Sequence, residues 1–572
     1  MMRGIWLLFA LLPVLPAHSE VTLDVPGGDE LLEQNLVARL ALASEPCDAP
    51  DWRVKRLFKR AEDDFRPALR AFGYYQAKVT KTLDSDDQCW HAKFTVEPGE
   101  RVTIKRRSVT VLGEASNDKR LPSLLSTLPL AEGDSLNHGQ YEEIKTRLSD
   151  FAVERGYFEF NLTRKVLRVD PAEAAAEIDI EAQSGPRYRF GELRMSELPL
   201  NEDFLRRLAK INVGAHYDAR ELTVLDRNLS NIGYFKRVEV LPRRDESSGR
   251  QVPVDLILEM APRHAWRAGI GYATDLGVRV SLDYTNRYVN SKGHKFSSEI
   301  RLSQAESGLT SSYNFPGRDP SNEEFSLGVL LLHEDTDSVL SDSATLIGKQ
   351  TLTSKRWTQT RFIELLYEDS VVGNDATTAT LLMPGITLER IHADNPLRTN
   401  RGYRVSLGAR AAHESFLSTS SMVQLRANAK GIYRFGKGGR LVSRLDVGTT
   451  MGDSIGDLPA SLRFFAGGDN SVRGYAYKSL GPVDEEGEPT GARHLLTGTL
   501  EYEHPIMTDD WWLALFVDAG NAFNSNDLEF EYGTGAGLRW YSPVGRIRLD
   551  IAVPSDTEED DWRLHFGLGA DL

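Results

Sequence analysis

The chain has 572 residues, too many for one ordinary core, and this length suggests about three to five domains. A net charge of −15 with no basic stripe to offset it excludes a nucleic-acid binder.

Residues 1–19 place Arg3 before an apolar run from Ile5 to Leu15 and then Ala17-His18-Ser19, the order of a secretory signal peptide. The mature chain is expected to start near Glu20. After it, no apolar run reaches the roughly 20 residues of a spanning helix, so export leaves a soluble or a β-barrel protein.

From 20 to 262 the chain repeats itself. Gly73-Tyr74-Tyr75, Gly156-Tyr157-Phe158 and Gly233-Tyr234-Phe235 recur about 80 residues apart, a spacing that means tandem small domains and exceeds solenoid periods. Glycine at such a place is a left-handed helix stop, and the aromatics are expected to open the next strand. In the first unit Val54, Leu57, Phe58, Ala61, Phe65, Ala68, Leu69 and Phe72 fall at helical spacing, while 75–83 and 89–97 read as a strand pair. The second unit reads as a strand over 102–112, helices near 121–128 and 138–155, then strands 158–169 and 176–182. The third follows the same order and ends in a strand over 254–260. The expected boundaries are 20–97, 98–185 and 186–262. Cys47 lies between the helices of the first unit and Cys89 opens its last strand. In an oxidising compartment they either form a disulfide, worth roughly 4 kcal/mol on the chain-entropy model, or remain two buried thiols.

From 263 to 572 the pattern changes to alternation. Trp511, Leu513, Leu515, Val517 and Ala519 face one way; Trp512, Ala514, Phe516, Asp518 and Gly520 face the other. Ile547, Leu549, Ile551 and Val553 likewise oppose Arg546, Arg548, Asp550 and Ala552. One face suits lipid and the other a polar lumen, the pattern of a transmembrane barrel; a soluble sandwich with one buried face is the alternative. Trp540 and Trp562 at strand ends suit a membrane interface. The connection 542–545 is short enough for a periplasmic turn, and 554–561 is acidic and expected outside.

One connection is long. It opens at 462–477 with Leu-Arg-Phe-Phe-Ala-Gly-Gly-Asp-Asn-Ser-Val-Arg-Gly-Tyr-Ala-Tyr and runs to about Arg493. Connections of this length are usually functional or disordered, and four aromatics with two arginines among glycine turns suit a packed loop. Asp484, Glu485, Glu486 and Glu488 in its second half look solvated.

Val472-Arg473-Gly474-Tyr475 resembles the arginine-glycine-aromatic signature in the sixth extracellular loop of the outer-membrane assembly and secretion barrels, the superfamily of BamA, TamA and the two-partner secretion transporters. Phe464-Phe465-Ala466-Gly467-Gly468-Asp469 and Phe516-Val517-Asp518-Ala519-Gly520 are most similar to its TamA branch, and three repeated domains also match that branch. The resemblance implies three α+β POTRA domains followed by an all-β, 16-stranded antiparallel transmembrane β-barrel. Counting strands back from the C-terminus puts Arg473 in the sixth outer loop when there are sixteen. The resemblance further implies that Arg473 folds into the lumen and meets Asp518, which alternation independently places on the lumen face; a solvated loop arginine is the alternative. The closing segment 562–572 puts Leu564, Phe566, Leu568 and Leu572 on one face, like a C-terminal barrel signal, though it ends in Leu where an aromatic is usual.

Gly269 and Gly271 in the expected first strand, 266–275, and Gly567 and Gly569 in the last weaken pairing where the barrel closes. The resemblance implies a seam that opens laterally to a client strand; glycines that merely relieve crowding are the alternative. Gly452-Asp453-Ser454-Ile455-Gly456 fits a nucleophile elbow, the one feature that favours a lipase, but follows an alternating strand and reads as a turn. His264, His333, His413 and His565 show no metal-ligand spacing. No catalytic, cofactor or metal residue is expected. The resemblance implies a non-enzymatic factor in a Gram-negative outer membrane that inserts or secretes β-rich clients such as autotransporters. It also implies a TamB-like, inner-membrane-anchored periplasmic partner. A BamA-like general insertase, a two-partner secretion-type pore and a solute pore or receptor are the alternative functions.

Overall fold

The helical and alternating patterns build three small sheets followed by one large one. The computed structural model describes residues 20–28, 30–86, 89–354, 356–395, 398–436, 438–506, 510–524, 528–542, 545–555 and 562–569. The expected signal peptide lies outside them, as do residues 556–561 of the acidic connection and the final three residues.

The first small domain comprises β1 (Glu20–Asp24), α1 (Glu30–Arg39), α2 (Asp51–Ala71), β2 (Lys78–Ser85) and β3 (Trp90–Glu97). The second comprises β4 (Thr103–Leu112), α3 (Leu121–Ser126), α4 (His138–Arg155), β5 (Asn161–Asp170) and β6 (Ala175–Gln183); the third, β7 (Arg189–Met195), α5 (Glu202–Ala209), α6 (Ala219–Asn231), β8 (Phe235–Pro242) and β9 (Gln251–Met260). In each sheet the last strand is central, ordered β1-β3-β2, β4-β6-β5 and β7-β9-β8. The helical face read from the sequence closes the first core: Val54, Ala61, Phe65, Ala68 and Leu69 pack against Trp90, Ala92, Phe94 and Val96.

Gly73, Gly156 and Gly233 take φ near +85°, as a left-handed helix stop requires. The following aromatics, however, do not open the next strand in the first two domains. Strand β2 starts at Lys78 and β5 at Asn161 because the aromatics are engaged elsewhere: Tyr75 bonds His138, and the Phe158 ring packs edge-on against Tyr188 and Tyr217. Cys47 and Cys89 are joined as a disulfide across 42 residues, tying the inter-helix loop to the start of β3.

The large sheet has sixteen antiparallel strands, ordered without crossover from β10 to β25. They are β10 (His264–Ala273), β11 (Gly277–Asn286), β12 (Lys295–Leu302), β13 (Glu306–Pro316), β14 (Glu323–Asp335), β15 (Val339–Thr353), β16 (Thr358–Val372) and β17 (Asp375–Ala393). Then come β18 (Arg401–Ala412), β19 (Met422–Arg434), β20 (Arg440–Gly452), β21 (His494–Pro505), β22 (Trp511–Phe523), β23 (Glu531–Ser542), β24 (Gly545–Pro554) and β25 (Arg563–Gly569). Side-chain exposure follows the period-two pattern: Leu513, Leu515 and Val517 point outward while Trp512, Ala514, Phe516 and Asp518 are buried. The first strand starts and ends two residues earlier than expected, because Thr274 and Asp275 form the turn that Gly277 closes at φ +71°. At the end where β10 begins, Tyr234 donates to the Gly293 carbonyl in the β11–β12 turn and Phe204 of α5 lies against the same glycine, which has no room for a Cβ.

Candidate functional site

The connection between β20 and β21 is the sixth on its side of the barrel, and it folds inward. Its first half lines the wall: Leu458 and Leu462 pack with Leu381 and Met383, Ala460 with Val339 and Val372, and Phe464 with Leu495 and Ala522. Glu485, Glu486 and Glu488 in the second half are exposed, while Asp484 accepts the amides of Glu486 and Glu488. Ser454 sits in a one-turn helical bend after β20, with none of the strand-to-helix geometry of a nucleophile elbow.

Arg473 is 2 % exposed. Its Nε and Nη2 donate to the two oxygens of Asp518 at 2.7 and 3.0 Å, and its backbone amide donates to the same carboxylate at 3.0 Å. Its Nη1 donates to Glu501 at 2.9 Å and Asp550 at 3.0 Å, and the guanidinium lies 3.4 Å from the centroid of the Phe516 ring. The contact continues along the wall. Arg539 pairs with Asp550 and Glu501, Arg546 with Glu501 and Glu503, and Arg440 with Glu503. Four guanidiniums and four carboxylates from the loop and β20–β24 thus neutralise one another in one layer. A buried charge of either sign costs several kcal/mol without a partner, so the layer holds together or fails as a unit.

Glycines make the space. A Cβ on Gly533 would lie 1.8 Å from the Arg473 carbonyl, one on Gly535 would strike the Phe516 ring, and one on Gly537 would lie 1.8 Å from Asp550. These three lumen-facing positions of β23 form a bare track on which the loop lies. Gly474, at φ +101°, turns the chain above it, and Val472 is fully buried. The Tyr475 hydroxyl donates to Glu531 at 2.8 Å. From the wall, Arg444 donates to the Ser471 carbonyl and Arg548 to the Asp469 carbonyl and Asn470.

The same loop reaches the seam. No ladder joins β10 to β25 among the described residues; the two ends meet through the Phe566 amide donating to Thr274 Oγ1 at 2.8 Å and through the Tyr272 and Phe566 rings. Above that contact His565 bonds Asp469 through Nδ1 at 2.6 Å and accepts the Gly474 amide at Nε2 at 2.9 Å. Accepting at Nε2 assigns the proton to Nδ1. The Asp469 amide in turn donates to Asp275 in the first barrel turn at 2.7 Å. Loop residue Asp469 therefore bridges the first turn and the last strand. Asp275, Asp469 and His565 come within 4.8 Å of one another, but the hydrogen bonds already use both imidazole nitrogens.

Of the residues singled out from the sequence, Val472, Arg473, Gly474, Tyr475 and Asp518 come together here. Gly567 borders Arg548, while Gly269 and Gly271 lie on β10 opposite Ser281 and Arg279. Gly569 ends β25. His264 bonds Tyr284 and His333 bonds Asp342. Sequence reasoning missed Glu501, Arg539 and Asp469 as partners, together with the glycine track; a period-two run of glycines on one strand face was the available signal.

A sixteen-stranded barrel carrying an inward loop with a buried, multiply paired arginine, preceded by three small α+β domains, defines an outer-membrane barrel with periplasmic domains. The chain belongs to the Omp85 superfamily: the Omp85 superfamily domain matches residues 264–572. "POTRA domain TamA domain 1" matches 22–98, and "Surface antigen variable number repeat" matches 104–183. The outer membrane protein assembly factor BamA of Nitratidesulfovibrio vulgaris is 32% identical over 134 residues, 21% of this chain and 17% of that protein. The factor of the same name from Neorickettsia risticii is 22% identical over 494 residues, 80% of this chain and 64% of that protein. The chain therefore spans less than two thirds of either relative. In fold it is similar to the crystal structure of BamA from Haemophilus ducreyi lacking POTRA domains 1–3, with a TM-score of 0.66, 14% identity, and coverage of 82% of this chain and 99% of that one.

Proposed function

We propose that this protein assembles or translocates β-rich clients, autotransporters among them, across or into the outer membrane of a Gram-negative bacterium, and hydrolyses nothing. The observation that carries the reading is the loop that ties its buried arginine layer to a seam where no strand ladder forms among the described residues. A free strand edge next to a movable anchor can offer backbone pairing to an incoming strand. The first domain's match to the TamA-type POTRA supports the TamA branch, and with it a TamB-like, inner-membrane-anchored partner meeting the periplasmic domains. The relatives named BamA favour a general insertase as the second reading. Depletion in the native bacterium, followed by quantitative mass spectrometry of the outer membrane, separates them. Selective loss of autotransporters fits the first reading, a uniform loss of barrels fits the second, and an unchanged outer membrane overturns both. Photo-crosslinking from the domains at 20–262 should capture one large envelope partner; capture of soluble chaperones alone would remove the partner assignment.

A further inference from the structure

We propose that the cavity where β10 begins binds a phosphate-bearing anion, supplied by the headgroup of a membrane phospholipid. The cavity, of about 640 Å³, lies on the lumen side between the loop before β8 and the first three barrel strands, and its walls carry Lys236, Arg267, Arg287 and Lys295. Asp283 is the one acidic group of the lining. It stands opposite Arg267 in the β10–β11 register, yet no ion pair joins the two among the described residues.

Two of the four cations are already engaged. Lys236 pairs with Glu259 at 3.1 Å, and Lys295 donates to the Ile232 carbonyl at 2.8 Å beneath the Tyr234 ring. Arg267 and Arg287 have no carboxylate within ion-pair distance among the described residues, and Nη1 of Arg287 is shielded from solvent without a hydrogen-bond partner. A buried guanidinium nitrogen left unpaired costs free energy that a tetrahedral oxyanion recovers through charge-assisted hydrogen bonds. Arginine's rigid fork suits phosphate oxygens in particular.

The position selects the source. Trp266, at the cavity's edge, and Ile270, further along β10, are 67% and 80% exposed on the face opposite Arg267, where a barrel meets lipid. Beyond them β10 has no strand neighbour on its outer side among the described residues. A phospholipid can therefore lay its acyl chains along Trp266 and Ile270 and turn its phosphate past the strand edge into the cavity, as basic pockets at membrane interfaces do for anionic headgroups.

The test uses the full chain folded in detergent micelles doped with phosphatidylglycerol or with uncharged diacylglycerol, and native mass spectrometry of the retained lipid. The wild type should hold phosphatidylglycerol and release diacylglycerol. The double variant Arg267→Gln with Arg287→Gln should bind roughly tenfold or more weakly, as expected for losing charge-assisted contacts. Arg301→Gln removes one positive charge, as each substitution of the pair does, from a residue paired to Glu299 outside the cavity and should bind as the wild type does. Arg287→Lys, which keeps the charge but loses the fork, should bind more weakly than the wild type and more tightly than the double variant, even where the double variant folds poorly by heat-modifiable gel mobility. Excess inorganic phosphate separates the sources: lipid that stays bound supports the headgroup. Displacement of lipid by phosphate that itself binds the wild type and not the double variant keeps the anion site but overturns the lipid source. Equal retention by the wild type and the folded double variant, or an equal loss in Arg301→Gln, overturns the proposal.

Discussion

Arg473 makes more contacts than one side chain needs for orientation alone, and their geometry decides what its loss would do. Replacing it by Ala leaves Asp518 without an ion-pair partner among the described residues, and Glu501 and Asp550 with Arg539 and Arg546 as theirs. Removing one partner of a buried pair costs about 3–5 kcal/mol, but the backbone pairing along the sixteen strands does not depend on it. Arg473→Ala should therefore give a folded barrel with a released loop: heat-modifiable mobility retained, protease cleavage between 462 and 493 gained, and client assembly lost. Asp518→Asn should act in the same direction and less strongly, since Glu501 and Asp550 still accept from Nη1. A variant with an uncut loop and normal client assembly would show that the anchor is ornamental. Gly533→Ala tests the same docking from the opposite wall. A methyl group placed 1.8 Å from the Arg473 carbonyl forces the loop or the strand to shift, and since the loop is held by side chains and the strand by a ladder, the loop should give way. The expected result is again loop cleavage without barrel unfolding.

At the scale of elements, the second domain holds its helix α4 by charge as well as by packing. Arg155, at the end of that helix, bonds Asp118 at 3.0 Å and Asp218 at 2.6 Å, and the Tyr157 hydroxyl donates to Asp118 at 3.2 Å. Burial works to raise the Asp118 pKa, but the Arg120 amide and the Arg155 and Arg187 guanidiniums outweigh it and hold the carboxyl below its ordinary value. A carboxyl with a depressed folded pKa adds stability that is full above its unfolded value, about 4, and is lost as pH falls through the lower folded value. Tyr157 is pushed up to about 12, by burial first and by the Asp118 charge next, so its contribution is full below about 10 and is lost as pH rises toward 12. Thermal melts of the fragment 20–262 should thus be flat near neutrality and fall at both extremes, and Asp118→Asn should reduce the acid slope. An acid slope unchanged by that substitution would assign it to other carboxylates. In the first domain, reduction of the Cys47–Cys89 bridge should lower stability by roughly 4 kcal/mol on the chain-entropy model for a loop of 42 residues. Intact mass should show two hydrogens fewer before reductant than after, and two free thiols in the oxidised fragment would contradict the bridge.

These elements also show where a sequence is readable. Helix α4 was legible residue for residue, because a 3.6-residue period ends at a glycine with positive φ. The starts of β2 and β5 were not, because Tyr75 and Phe158 look like strand residues and are instead claimed by rings distant in sequence. On the barrel, alternation located Asp518 on the lumen face, yet it set Asp550 there no differently from any other polar residue and did not single out Glu501 or Arg539. What gathers them is strand register: Asp518 lies opposite Gly533, Asp550 opposite Gly537, and Glu501 opposite Phe516, and that stagger is set by the whole ladder. The bridge through Asp469 was unreadable for a further reason, since it joins residues 275, 469 and 565 by hydrogen bonds that no local pattern foreshadows.

For the whole molecule, the consequence is that the seam and the loop are one device. Every other strand junction of the barrel is a ladder of backbone pairs, whereas among the described residues β10 and β25 meet through a threonine hydroxyl, a ring contact and the Asp469 bridge. A few side-chain hydrogen bonds contribute about 1 kcal/mol each, far less than a ladder of strand pairing, so this junction opens first when the barrel is strained. A disulfide across it should hold it shut. Tyr272 and Phe566, whose ring centroids lie 5.8 Å apart, mark the height at which to place the pair Tyr272→Cys with Phe566→Cys, with neighbouring registers tried in turn because a bridge demands compatible Cβ positions. The locked protein should remain folded, since the bond reinforces an existing contact, and should fail to assemble clients until a reductant is added. His565→Ala separates the loop's share from the edge's. It removes the Asp469 and Gly474 contacts while leaving the Arg473 layer intact, so the unlocked variant should form the engineered disulfide more slowly and open more often. A locked barrel with undiminished client assembly would show that clients do not leave through this junction, and the activity would then rest on the periplasmic domains.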